Sequence, residues 1–402
     1  MVEEKAKKKK SKSGQRMAKW IRYVAIAILI VVIGCYFLLK TDLLDFETVD
    51  EQLAAIEAAR AIPDAENAAI IYYQLLEDYD ESVFSPGFLS SEVDYLSKRQ
   101  PWLSKDYPEL AEWLKDQQDI ISTLLLASKM EKCRFPLIID VQQMTDQTEY
   151  LSAMRRWVFL LSRAANNDIA EGRIDAGIQK CHCIIQMGNH LCQQPVLINY
   201  MVGIAFEALA LSRMKTFILE GDVSEKHLKT IEAAIPQTKD NWAEVSSKII
   251  EFETLFDRKN VGLFDRLKFA WQDMRVEDIF DRTREIYLRL LADRRGSRIL
   301  IALRRYRNKN GRWPETLDGI KDLVPAEILV DPINGGSFVY KLTEDNYTLY
   351  SKGKNNIDED GIRKITFDPN SLEWLKTEED DWLIWPPKSR KTKKEKADAE
   401  QQ

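Results

Sequence analysis

Apolar residues along this chain recur mostly at spacings of three and four, the period of a helix that turns one face to a core. The clearest run covers 147–235. It predicts helices over 150–170, 174–192 and 196–219, with Glu171-Gly172-Arg173 as the first turn and Gln194-Pro195 as the second break. Gly221-Asp222 closes the third helix, and Ser224 is placed to cap a fourth with Glu225 in its first turn. Links this short between apolar-striped helices make neighbours antiparallel, in a helical bundle or a solenoid-like body. Upstream, 41–80 reads as helical with a break and a fresh start at Pro63-Asp64, and Pro108-Glu109 opens a helix that reaches Lys132. Downstream, 241–256 and a long segment over 266–308 keep the helical period, with Gly296-Ser297 as a kink or seam.

The period changes after Asn310-Gly311. Trp313-Pro314 redirects the chain, 315–323 reads as a short helix, and Asp331-Pro332-Ile333-Asn334-Gly335-Gly336 is a turn cluster. Alternation of Phe338, Tyr340 and Leu342, then of Tyr347 and Leu349, predicts an antiparallel hairpin packed on the long helix. A third strand is expected over 362–367, and the Trp382-Leu383-Ile384-Trp385 segment is expected to lay its aromatics back on the sheet.

The N-terminus carries a different signal. Residues 21–39 are apolar apart from Arg22, and 19 residues of helix span roughly 28 Å, about one hydrocarbon core. The first 22 residues hold nine Lys or Arg against two Glu, whereas the flank beyond Lys40 is acidic. This asymmetry places the N-terminus in the cytoplasm and the rest outside. The segment ends Cys35-Tyr36-Phe37-Leu38-Leu39-Lys40 without a small-x-small site, the mark of an anchor rather than a cleaved signal peptide. The expected fold class is therefore mainly α. It comprises a basic cytoplasmic tail (1–19), a single transmembrane helix (20–40), an extracytoplasmic helical body (41–280), a small α+β module (281–387) and a charged tail (388–402).

Composition narrows the chemistry. Hydrophobic residues are 45% of 402, enough for a sizeable core, and 16 Gly with 13 Pro argue against a largely disordered chain. Cys133, Cys181, Cys183 and Cys192 would lie in an oxidising space, where two disulfides in any of three pairings are open to them. Cys181-His182-Cys183 with His190 and Cys192 has the residue types of a metal site. On a continuous helix, however, positions i and i+2 point about 200° apart, so these read as core residues. The arginines over 282–307 interleave with Asp278, Asp281, Glu285 and Asp293, as on a solvated or interdomain face rather than a nucleic-acid surface. No nucleophile elbow, phosphate loop, dinucleotide fingerprint or zinc-protease motif appears, and the three His (His182, His190, His227) have no catalytic context.

The segment Asn356-Ile357-Asp358-Glu359-Asp360-Gly361 has the first half of a calcium loop, with oxygen side chains at positions 1, 3 and 5 and Gly at 6. Position 12 would be Phe367 instead of a bidentate Glu, so an EF-hand is excluded. Over 299–367, the AL-Y-NGRWP stretch, the DP-G--F-Y stretch and the Y-LYS-G stretch resemble the C-terminal part of the major pseudopilins of type II secretion. That resemblance implies a long helix on a small antiparallel sheet, with a calcium loop for which Asn355, Asn356, Asp358 and Asp360 are the candidate ligands. A prepilin cleavage motif is not present after Gly14, where Gln15, Arg16 and then Lys19 stand. The whole chain is also similar to a group of bacterial membrane-anchored proteins with this helical body.

Together these readings give an expectation: a single-pass protein of a bacterial inner membrane, embedded in the lipid bilayer through 20–40. Its non-catalytic bulk would act as a scaffold or interaction protein with an envelope protein partner and no nucleic acid. A pseudopilus-associated secretion component and an envelope enzyme with another kind of site are the alternatives.

Overall fold

The computed structural model describes residues 48–77, 87–140, 144–221, 223–260, 274–343, 346–367 and 375–386. The segments 1–19, 20–40 and 388–402 lie outside these. Among the described residues no helix is long and apolar enough to cross a membrane.

Local chemistry sets where the helices start. Helix α1 (Val49–Ala59) opens on a capping box: Thr48 Oγ1 accepts the Glu51 N–H and the Glu51 carboxylate accepts the Thr48 N–H. Pro63 then leads into a 3₁₀ turn (Asp64–Glu66), and α2 (Ala68–Glu77) follows, so the break falls where the sequence put it. Ser90 caps α3 (Ser91–Ser97). The single helix expected over 108–132 is instead two, α4 (Pro108–Asp116) and α5 (Gln118–Ala127). Gln117 leaves helical geometry at φ −91°, ψ 5°, and the Gln118 amide donates to the freed Leu114 carbonyl at 2.7 Å. Apolar spacing resumes in step on both sides of this break, which hides it from periodicity.

The body is built on α6 (Met144–Ala170), α7 (Ile174–Cys192) and α8 (Leu197–Glu220). Gly172 reverses the chain between the first two with φ 77°, a conformation that glycine adopts without steric cost. Helix α9 (Glu225–Ala234) starts at Ser224 as expected, but the reciprocal cap is His227, whose Nδ1 accepts the Ser224 N–H at 3.3 Å. Helices α10 (Trp242–Asn260) and α11 (Met274–Asn310) complete the helical part.

Helix α11 joins the body to the C-terminal part. Its residues Ile299, Leu300, Ile301, Ala302 and Leu303 are all fully buried, which requires cover on every side. The body supplies α8, α9 and α10; the opposite side is covered by 3₁₀ turns (Leu317–Leu323, Ala326–Leu329) and by a sheet. One hydrophobic core therefore runs without interruption from Ala68 to Trp385. Helix α11 continues unbroken through Gly296-Ser297. At Gly296 the sheet packs closely on the helix: a Cβ there would lie 2.5 Å from Ile384 Cγ2.

Strands β1 (Val339–Leu342) and β2 (Tyr347–Ser351) form the expected antiparallel hairpin, in the register Val339↔Tyr350 and Lys341↔Thr348. The strand expected over 362–367 exists as β3 (Arg363–Phe367), but it pairs with β4 (Leu375–Asp380) in a separate ribbon. The third strand of the hairpin sheet is β5 (Trp382–Trp385), giving the order β1-β2-β5. The reason lies in side chains. Ile384 and Trp385, both buried, have an α11 surface to cover. The short helix expected over 315–323 is a 3₁₀ helix, capped by Thr316.

Candidate functional site

The acidic loop leaves β2 at Ser351 and reaches β3 at Arg363. Its shape comes from four left-handed residues: Gly353 (φ 64°), Asn356 (φ 57°), Asp360 (φ 57°) and Gly361 (φ 76°). Asn and Asp are the side-chain-bearing residues that tolerate this region best. The candidate ligands are largely occupied by the turn itself. Asn355 Oδ1 accepts the Ile357 N–H at 2.7 Å, and Asp358 Oδ1 accepts the Asp360 N–H at 3.1 Å, both side chain-to-backbone bonds of the Asx type.

The two aspartates already have a cation. Lys341, on β1, sets its Nζ 2.5 Å from Asp360 Oδ1 and 3.2 Å from Asp358 Oδ2. Tyr350 donates its hydroxyl to Asp358 Oδ1 and lays its ring 5.3 Å from the same ammonium. The Tyr350 bond holds the Asp358 carboxyl below the usual carboxylate range, with Lys341 adding to the effect. Asn355, by contrast, turns its amide to Glu359 Oε1 at 2.9 Å. Asp358 and Asp360 are thus brought together on Lys341 while Asn355 is held to Glu359, and among the described residues no group of three or more His, Cys, Asp or Glu has metal-site geometry.

Three residues outside that set hold the loop. Asp381 Oδ2 accepts from Glu359 N (2.9 Å) and Gly361 N (2.8 Å), Glu359 Oε2 accepts from Asp380 N (2.7 Å), and Asp380 Oδ2 accepts from Lys354 N (2.8 Å). Burial raises the Asp381 carboxyl, and the nearby charges of Glu359 and Asp358 raise it further. Asp380 Oδ1 and Asp381 Oδ1 are buried without a hydrogen-bond partner. The signal for these residues was the acidic run 378–381, which reads in sequence only as a polar lead into the Trp-rich strand.

Of the cysteine–histidine cluster, Cys181, Cys183 and His190 lie in the core, Cys192 is half-buried and His182 is exposed; Cys133, Cys181, Cys183 and Cys192 are all free thiols. Burial pushes Cys181 up to about 11 and Cys183 and Cys192 up to about 12, which keeps them protonated and unreactive. His190 is fixed as a neutral ring between Tyr72 Oη, 2.8 Å from Nδ1, and the Met130 carbonyl, 2.8 Å from Nε2. Burial lowers its pKa to about 4.

Several arginines of α11 likewise act within the fold. Arg304 donates to the Leu219 and Gly221 carbonyls at the end of α8 (3.0 and 3.1 Å), and Arg298 to Ile235 O at the end of α9 (3.2 Å). Arg295 donates to Thr238 O and Val330 O, and Arg294 grips Glu207 through both carboxylate oxygens (2.5 and 2.7 Å). Orphan helix-end carbonyls and a buried carboxylate thus engage Arg294, Arg298 and Arg304 between elements, whereas Arg282, Arg284 and Arg307 are exposed.

A cleft of about 1080 Å³ opens between α1 and α10, lined in part by Ile56, Arg60, Gln194, Asn241, Glu244 and Lys248. A small cluster of its own (Leu53, Phe252, Leu255) fastens α1 to α10, apart from the main core. Two ion pairs lie at the cleft: Glu244 with Lys248 (2.8 Å), and Arg60 with Glu57 (3.0 Å), Arg60 also reaching Gln194. Nearby, Glu253 and Asp257 have carboxyls raised chiefly by burial. Glu253 accepts the Leu197 N–H at 2.8 Å and so caps α8, whose own N-cap residue Val196 has no acceptor side chain.

Compared with known proteins, the chain matches no family model, no curated protein and no solved structure.

Proposed function

We propose that this chain is a membrane-anchored, extracytoplasmic scaffold or interaction protein of the cell envelope, whose helical body receives a protein partner without catalysing a reaction on it. The observation that carries the reading is the α1–α10 cleft. At about 1080 Å³ it exceeds the usual small-molecule range of roughly 300–1,000 Å³, it is open, and it mixes apolar side chains with charges, of which Glu244 and Lys248 neutralise each other. Such a surface suits a polypeptide better than a reacting group. Helix α1 is also the first described helix after the apolar segment 20–40.

Two measurements test the reading together. A reporter fused after Gln402 is expected outside the cytoplasm. Photo-crosslinking residues at Lys248 and Thr254, in the cleft, are expected to trap one envelope protein that a probe at Glu109 does not trap. A cytoplasmic reporter, or equal labelling from all three positions, refutes it.

A pseudopilus-associated secretion component is the second reading. It is favoured by the three-stranded antiparallel sheet packed on a long helix, the arrangement that the pseudopilin resemblance implies. A deletion strain with undiminished export of secreted enzymes would remove it.

A further inference from the structure

The acidic loop has the residues of a divalent-cation turn, yet its two central aspartates converge on an ammonium of the same chain. We propose that Lys341 is the resident cation of this loop, occupying the position between Asp358 and Asp360 that a calcium ion would otherwise take.

The geometry is that of a small built site. Lys341 Nζ lies 2.5 Å from Asp360 Oδ1 and 3.2 Å from each carboxylate oxygen of Asp358. The Tyr350 ring closes one side at 5.3 Å, and the Tyr350 hydroxyl holds Asp358 in place. Backbone register delivers these groups together. Val339 pairs with Tyr350, and Lys341, two residues on, projects from the same face of β1, diagonal to Tyr350. Asp360, in the left-handed region at φ 57°, completes the contact from the loop.

The electrostatic logic is direct. Two carboxylates on one tight turn repel each other, and a turn of this kind needs positive charge to stay closed. An ammonium supplied in cis meets that need without an ion from solution. A divalent ion arriving from solution would have to expel the ammonium and leave it without a partner. The cluster is solvent-exposed, so its contribution to global stability is modest and screened by salt. What it governs is the response of the loop to calcium.

The test uses the full-length chain in detergent micelles, with thermal unfolding followed in chelator and in millimolar calcium chloride. Wild type is expected to show the same Tm in both. Lys341→Met keeps the aliphatic stem on a strand position but removes the charge. It is expected to melt lower in chelator and to regain about 2 °C or more with calcium. Lys341→Arg keeps the charge and is expected to remain calcium-insensitive, and Lys341→Met combined with Asp360→Asn should lose the regained shift. No calcium response in Lys341→Met overturns the assignment. So does a calcium shift in wild type; if Asp381→Asn abolishes that shift, the ion sits instead on the unpartnered oxygens of Asp380 and Asp381.

Discussion

Gly188 on α7 and Gly203 on α8 meet back to back: a Cβ on Gly188 would lie 2.6 Å from the Gly203 carbonyl oxygen, and one on Gly203 would lie 2.5 Å from that of Gly188. The two helix backbones are in contact at this crossing. Each glycine costs about 1 kcal/mol of helix propensity relative to Ala, and the close packing that they permit offsets that cost. Gly203→Ala is therefore expected to destabilise the protein, by about 1–3 kcal/mol as for other overpacked cores, despite the better helix former. Urea unfolding of the variant checks this; unchanged or higher stability would mean that the helices separate freely.

Lys215 on α8 and Asp293 on α11 form a buried ion pair at 2.6 Å, and Asp293 Oδ2 also accepts from Trp382 Nε1 at 3.4 Å. The carboxylate thus links the body to the sheet. Lys215→Met strands a buried charge and should cost about 3–5 kcal/mol, whereas Lys215→Met with Asp293→Leu should recover most of the loss. A double-mutant cycle in urea measures the coupling, and additive losses would show the pair to be energetically idle.

His190 makes stability fall in acid. Its folded-state pKa of about 4 lies below the ordinary value of 6.5, so the unfolded chain binds the proton more readily. The contribution is fully present above about pH 6.5 and is lost as pH falls toward about 4, with a loss of about 2 kcal/mol by about pH 5. Chemical denaturation across that window should show the slope in wild type. The slope should be smaller in His190→Gln, and equal slopes would assign the acid sensitivity to other groups.

Gly296 gives Ile384 its seat against α11. Gly296→Ala should lower Tm through a clash with a side chain at the heart of β5, and Ile384→Val on that background should restore part of it. If Ile384→Val worsens the Gly296→Ala protein by its usual single-mutant amount, the two residues do not compete for space.

Much of the helical body was legible along the chain. The turn at 171–173, the limits of α7, the cap at Ser224 and the break at Pro63 all fall where residue chemistry put them, because caps, prolines and apolar spacing act over a few residues. The hairpin was equally legible, since alternation is local too. The β3 pairing was not. Whether 363–367 joins the hairpin or forms its own ribbon depends on which later strand competes for the edge of β2, and that contest is won by Trp385 and Ile384 through burial on α11.

The site shows the same division. Spacing alone marked Asp358, Asp360 and Gly361 as a tight acidic turn, since oxygen side chains and a left-handed glycine are intrinsic to those positions. Which cation the turn holds was decided in three dimensions, by a β1–β2 register that carries Lys341 to the two aspartates from 17 and 19 residues away. The arginine row of α11 was visible as charge. Its purpose depended on the ends of α8 and α9 arriving beside it, because an unpaired carbonyl at a helix terminus leaves no trace in the sequence of the helix that will satisfy it.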